Sequence, residues 1–214
     1  MSDFARLRQG MVDCQIRVAD VTDPRVLAAF LETPREAYMP AGRREVAYLD
    51  SRAPLGGGRE MLDPMTLAKL IQLADPRAGE RVLVVGAGLG YGAALLARLA
   101  GTVTAVESDP ALAAAAKANL SDDGVTMVEG PLPAGAPAGA PYDLIFVEGA
   151  VVENLGELKA QLGPQGRLVA PSGRSRPMKA TIFRRNGDEL GAAPAFDAHA
   201  LVLPGFEPAA AFAL

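Results

Sequence analysis

The chain has 214 residues, with 21 Lys and Arg against 25 Asp and Glu for a net charge of −4, one cysteine, one histidine and no tryptophan. A lone cysteine excludes a disulfide framework and a multi-cysteine zinc cluster, and His199 alone cannot build an imidazole metal site. The charge balance gives no basic footprint for nucleic acid, no apolar run approaches the roughly 20 residues of a bilayer-spanning helix, and MSDFARLRQG holds no apolar signal core, so a cytoplasmic protein without nucleic-acid or membrane partners is expected.

Residues 1–62 read as a helical arm followed by an irregular loop. Phe4, Leu7, Met11, Cys14 and Val18 follow a loose helical spacing, which predicts a buried Cys14. Asp23-Pro24 then opens a short helix that buries Val26, Leu27, Phe30 and Leu31, with a capping acid followed by proline at the first helical position. The loop TPREAYMPAGRREVAYLDSRAPLGGG is too irregular for a long element. Its Tyr38 and Tyr48 are expected to pin the arm to the body, and its Arg43 and Arg44 to lie at the surface. Two helices and a loop cannot enclose a core, so the arm must pack on the rest of the chain.

Residues 63–214 alternate between strand and helix patterns. Asp63-Pro64 starts a helix with Leu67, Leu70, Ile71 and Ala74 on one face. RVLVVG (81–86), TVTAVES (102–108), VTMVEG (125–130), YDLIFVEGA (142–150) and GRLVAPSG (166–173) read as strands. Helices are expected over 90–100, from Asp109-Pro110 to Leu120, and near 153–162. Apolar strands alternating with helices predict an α/β fold with a mostly parallel sheet covered on both faces. ATIFRR, a turn at Asn186-Gly187 and a strand near 195–203 predict antiparallel closing strands. The positive run Arg174, Arg176, Lys179, Arg184 and Arg185 reads first as a solvated hairpin and second as a patch for acidic peptides.

Gly86-Ala87-Gly88-Leu89-Gly90 follows a strand and opens a helix, where glycines allow close backbone approach and free N–H groups face a ligand. Glu107 ends the next strand, 21 residues after Gly86, where an acid accepts from the hydroxyls of a bound ribose. A dinucleotide fingerprint needs a third glycine at position 91, which is Tyr91. The spacing instead fits the nucleoside fold of S-adenosylmethionine-dependent methyltransferases.

Over nearly its whole length the chain resembles the protein-L-isoaspartate O-methyltransferase family. The resemblance is carried by MVDCQIR, RVLAAFLETPREAYMP and AYLD in the arm, then by PLGGGREMLDPMTLAKL, RVLVVGAGLGYGAALLARL, VTAVESDPAL, APYDLIFVEGA and GRLVAPSG. It implies a Rossmann-like methyltransferase fold, a monomer, S-adenosylmethionine as cofactor, and methyl transfer to the free carboxylate of L-isoaspartyl residues in proteins or peptides. It also implies that Gly86, Ala87, Gly88, Gly90, Glu107, Ser108 and Gly130 hold the cofactor, and that the loop from Gly57 to Leu62 forms the acceptor side. There Arg59, Glu60 and Leu62 occupy the family's acceptor motif. Leu62 replaces a serine of that motif and Glu60 a threonine. Val84 stands where the family's loop usually has an acid, and Pro131 where it has an aspartate.

The chemistry suits a chain so poor in His and Cys, because a carboxylate is an ionised nucleophile at neutral pH and a sulfonium methyl is already activated. Catalysis then rests on positioning. Arg59 could grip a carboxylate bidentately or pair with Glu60 or Asp63. His199 could face the cleft or the surface. A different carboxylate acceptor, and a non-catalytic binding protein on the same fold, remain alternative readings. A nicotinamide-dependent oxidoreductase is disfavoured by Tyr91.

Overall fold

The computed structural model describes residues 3–187 and 189–208. The arm comprises α1 (Asp3–Met11) and α2 (Pro24–Glu32). A two-stranded hairpin, β1 (Ala53–Gly56) and β2 (Arg59–Met61), follows. The body continues through α3 (Pro64–Ala74), β3 (Arg81–Val85), α4 (Tyr91–Ala97), β4 (Thr102–Glu107), α5 (Pro110–Asn119), β5 (Thr126–Glu129) and β6 (Tyr142–Val147). It ends with α6 (Gly156–Ala160), β7 (Leu162–Ser172), β8 (Met178–Asn186) and β9 (Glu189–Ala198).

Three of the four Asp-Pro pairs start helices, and each of those aspartates caps its own: Asp23 accepts from the Arg25 N–H, Asp63 from Thr66, and Asp109 from Ala111 and Leu112, whereas Asp75-Pro76 closes α3. The seven-stranded sheet has the order β5-β4-β3-β6-β7-β8-β9. Its first five strands are parallel, and β8 and β9 run antiparallel at one edge. The chain leaves β3 toward β4 on one side and later returns to its other side as β6. That reversal opens a crevice at the carboxyl ends of the strands, where such sheets bind ligands.

The first helix departs from the expected pattern. After α1 the chain widens into a π-helical stretch, Val12–Ile16, and tightens into a 3₁₀ turn, Arg17–Ala19. The wider turn rotates the apolar face, since a π turn holds more residues than an α turn. Met11, Val12 and Ile16 are therefore buried, Leu7 and Val18 are exposed, and Cys14 lies at the surface rather than in the core. The last strand also ends earlier than expected, at Ala198. Beyond it the chain crosses the carboxyl edge of the sheet, where Ala150 N–H donates to Leu201 C=O (2.8 Å) and Leu203 N–H to Ala150 C=O (3.0 Å). That crossing sets Leu203 over the glycine loop.

One apolar core joins arm residues such as Ile16, Val26 and Phe30 to Leu67 and Ile71 of α3, Tyr91 and Leu95 of α4, and Val84 and Phe146 of the sheet. Phe30 meets Tyr91 edge-on at 6.0 Å between ring centres, and Tyr38 Oη donates to Asp123 at 3.1 Å. The arm is thus seated on the helix that the glycine loop opens. Replacing Phe30 with alanine is expected to cost about 3–5 kcal/mol and to shift one urea-unfolding transition, with no separate transition for the arm.

Candidate active site

The glycine loop rises from the end of β3. Gly86, Gly88 and Gly90 all hold positive φ, of 80°, 56° and 98°. The N–H groups of Gly86 and Ala87 donate to Val106 C=O at 2.9 and 3.2 Å, which ties the loop to β4. At the end of β4, Glu107 is fully buried. Its Oε2 accepts from the Gly88 N–H at 2.8 Å, and its Oε1 accepts from the N–H groups of Ser108 (2.8 Å) and Asp109 (3.1 Å). Gly130 N–H donates to Glu107 C=O at 3.0 Å. Beside these residues opens a cleft of about 510 Å³, lined by Ser108, Glu129, Gly130, Pro131, Pro133 and Gly205 among others. The structure thus gathers all seven positions of the expected cofactor side at one end of the sheet.

The acceptor-side residues separate into three environments. Gly56, Gly57 and Gly58 turn the β1–β2 hairpin with positive φ, and the turn delivers Arg59 into the interior. Arg59 Nη1 meets Glu107 Oε1 at 2.5 Å, with the two side chains 4% and 0% exposed, and Nη2 donates to Gly86 C=O at 3.1 Å. The partner of Arg59 is therefore neither Glu60 nor Asp63. Glu60 instead pairs with half-exposed Arg52 (2.9 Å) and accepts from the Leu201 N–H (3.1 Å). Leu62 is buried in the core, and its carbonyl accepts from Arg35 Nη2 at 2.8 Å.

Arg35 carries no signal in the sequence that marks its role. The residue is 1% exposed, its guanidinium donates from Nε to Ala47 C=O (2.8 Å), and it lies 5.0 Å above the Tyr91 ring. Burial pulls its pKa below the usual guanidinium value. It fastens the end of the arm and the acceptor loop to α4. His199 is exposed beside Arg52 and Arg176, away from this crevice. Arg174 pairs with Glu153 and Lys179 with Asp197, so acids from other segments balance part of the positive run.

A ribose could take the place of the Arg59 guanidinium on Glu107, but the two cannot occupy it together. A Cβ on Gly88 would stand 2.8 Å from Leu55 Cδ1, and one on Gly86 2.8 Å from Leu203 Cδ1. The closed hairpin and the C-terminal crossing therefore cover the loop. The residues fit a nucleoside cofactor on the condition that Arg59 withdraws.

Glu148, one residue past β6, is a second carboxyl at this edge; it lies within APYDLIFVEGA but carries no role in the sequence reading. Burial raises its pKa to about 8, Arg59 and Arg35 oppose that rise, and Glu107 adds to it. Between the ordinary 4.5 and about 8, the folded chain keeps a proton here that the unfolded chain has released. The group therefore makes stability fall as pH rises through that window, with no further effect above it. In Glu148→Gln, the melting temperature should decline less between pH 5 and pH 8 than in the wild type. Parallel profiles would contradict this assignment.

Comparison with known proteins supplies the identity of the family. The family model for protein-L-isoaspartate(D-aspartate) O-methyltransferase matches residues 7–196. Protein-L-isoaspartate O-methyltransferase 1 of Rhodopseudomonas palustris (strain HaA2) is 45% identical over 175 residues, which cover 80% of this chain and 71% of that one. The protein-L-isoaspartate O-methyltransferase of Methanoregula boonei is 41% identical over 84% of each chain. A solved protein-L-isoaspartate O-methyltransferase superposes with a TM-score of 0.81 at 27% identity, over 92% of this chain and 66% of that one. A Plasmodium falciparum protein solved in complex with S-adenosyl-L-homocysteine has a TM-score of 0.78 at 16% identity, over 95% of this chain and 99% of that one, a likeness of fold. With the family model spanning most of its length, this chain belongs to the protein-L-isoaspartate O-methyltransferase family.

Proposed function

We propose that this protein transfers a methyl group from S-adenosylmethionine to the free carboxylate of L-isoaspartyl residues in damaged proteins and peptides. The observation that carries this reading is Glu107. It is a buried carboxylate at the end of β4, oriented by the Gly88 N–H and set beside an open cleft, in a chain belonging to this family.

When bound, S-adenosylmethionine supplies a methyl group on a positively charged sulfur, already activated for attack. Glu107 would accept from the ribose hydroxyls, in place of Arg59. Ser108, Gly130 and the Pro131–Pro133 wall, which line the adjacent cleft, would hold the base. The hairpin residues Arg59, Glu60 and Leu62 stand on the acceptor side. The acceptor carboxylate arrives ionised, so no residue need remove a proton, and the work of the site is alignment and exclusion of water. Leu55, Leu62 and Leu203 provide apolar surface for that exclusion.

Arg59 has two duties in this scheme. It neutralises Glu107 while the hairpin is closed, and on leaving Glu107 it would offer its guanidinium to an anionic acceptor. A monomer working in the cytoplasm completes the reading. It is supported by the family resemblance and by a lone cysteine, as expected of a protein kept in a reducing compartment; among the described residues no helix is long and apolar enough to cross a membrane.

Calorimetry with S-adenosylhomocysteine should give saturable one-to-one binding, and labelled methyl should pass from S-adenosylmethionine to an isoaspartyl peptide but not to its aspartyl counterpart. No binding at millimolar ligand would end the reading. Binding without transfer to the isoaspartyl peptide would redirect it to another carboxylate acceptor. Because Arg59 must vacate Glu107, Arg59→Gln should bind S-adenosylhomocysteine about tenfold more tightly, as expected when a competing closed state is removed. Weaker binding would show instead that Arg59 supports the cofactor.

A further inference from the structure

Glu107 and Glu148 are the two buried carboxylates among the described residues. One ends β4 and the other follows β6, so they flank β3 and its glycine loop from opposite sides. Glu148 prolongs β6 along β3, its N–H donating to Val85 C=O at 2.9 Å. It lies two residues beyond Phe146, which pairs with Val84. Side chains alternate along a strand, so Glu148 emerges on the same sheet face as Phe146 and Val84. Glu107, two residues beyond Ala105, also lies on the face of that core. The two acids thus sit on one face, about two strand spacings or roughly 10 Å apart by backbone.

Glu148 Oε1 is buried without a well-formed hydrogen bond within the protein, although the Gly92 N–H reaches the carboxyl and favours its charged form. The carboxyl is packed against the first turn of α4 so closely that a Cβ on Gly92 would overlap it. A side chain at position 92 would displace the carboxyl from this seat. With Arg59, Leu62 and Leu203 it lines the closed seam between the acceptor hairpin and the sheet. Arg59 Nε, on the same seam, is likewise buried and unpartnered, because the Nη atoms are committed to Glu107 and Gly86. A buried acceptor and a buried donor left unsatisfied on one seam would each be costly to keep without a ligand. With Arg59 withdrawn, a cationic group placed there would meet the unsatisfied oxygen of Glu148.

We infer that Glu148 is a cofactor-binding residue that receives the methionine ammonium group of S-adenosylmethionine, while Glu107 at the other end of the same face receives the ribose. This rests on the proposed methyltransferase function and extends it to the amino-acid end of the cofactor. A cation already stands between the two acids in the closed structure, in the form of the Arg59 guanidinium. The cofactor would set its hydroxyls on Glu107 in place of Arg59 and bring its own positive charge to Glu148, so a cation stands at this edge of the sheet in both states. Raised to about 8 by burial, Glu148 takes its charge when a cation reaches it.

The test is a four-way binding comparison by calorimetry. Wild type and Glu148→Gln are each titrated with S-adenosylhomocysteine and with its deaminated analogue, which lacks only the amino group. Glu148→Gln should weaken S-adenosylhomocysteine at least tenfold and leave the deaminated analogue within twofold of wild type. Equal weakening of both ligands would assign Glu148 a structural role and overturn the inference, as would unchanged affinity for S-adenosylhomocysteine. If the wild type binds neither ligand, the cofactor reading itself fails and this inference falls with it, an outcome recognisable without any variant. Should Glu148→Gln not fold, Glu148→Asp serves. It keeps the charge but withdraws it by one methylene, and it must show the same selective loss for the inference to stand.

Discussion

The Arg59–Glu107 ion pair decides the state in which this molecule is seen. Both partners are withdrawn from water, and a buried pair holds only if hydrogen bonds satisfy what the two charges leave open. Here they largely do. Glu107 is held by three backbone N–H groups, and Arg59 has a second acceptor in Gly86 C=O. The pair fastens the β1–β2 hairpin to the ends of β3 and β4, the two strands that carry the glycine loop and Glu107. While it is closed, Leu55 and Arg59 of the hairpin and Leu203 of the C-terminal crossing cover the glycine loop. Removing either charge alone would leave the other stranded in the interior, so opening must supply a replacement partner for Glu107.

A second arginine anchors the chain on both sides of the hairpin. Arg35 binds Ala47 C=O and Leu62 C=O and stacks on Tyr91, while Phe30 buttresses the same ring. The chain is therefore anchored immediately before and after the segment that carries Arg59. Position 62 contributes an anchored carbonyl and a buried apolar side chain, so its structural duties need no hydroxyl.

Much of the fold is legible in local signals, because local physics sets them. The Asp-Pro helix starts rest on a capping carboxylate and a preset φ within a few residues, and all three appear with their hydrogen bonds. The parallel strands are short apolar runs with turns on both sides, and they appear close to their expected limits. Where structure and expectation part, the cause lies outside the local pattern. Cys14 leaves the core because a π-helical stretch turns the helix face, a change that an evenly spaced apolar pattern cannot show. The last strand ends early because the chain is drawn across to Ala150, about fifty residues upstream. The Arg59 partner lies 48 positions away, so proximity in sequence favours Glu60 and Asp63, which serve Arg52 and the α3 cap instead.

Glu148 shows what further signal the sequence holds. It follows an unbroken apolar run, LIFV, at the end of a strand whose neighbour carries the glycine loop. A carboxyl there is carried toward the crevice by the sheet itself, as Glu107 is at the end of AVE. The same logic of position that singles out Glu107 in the sequence applies to Glu148 with equal force. They differ in their partners: Glu107 accepts three backbone N–H groups and a guanidinium, whereas Glu148 keeps one oxygen without a well-formed hydrogen bond. Two acids are placed alike by the fold, one fully bonded and one with an oxygen that the closed state leaves unsatisfied. A ligand with one hydroxyl-bearing end and one cationic, proton-donating end would serve both, which is the pattern of a nucleoside joined to an amino acid.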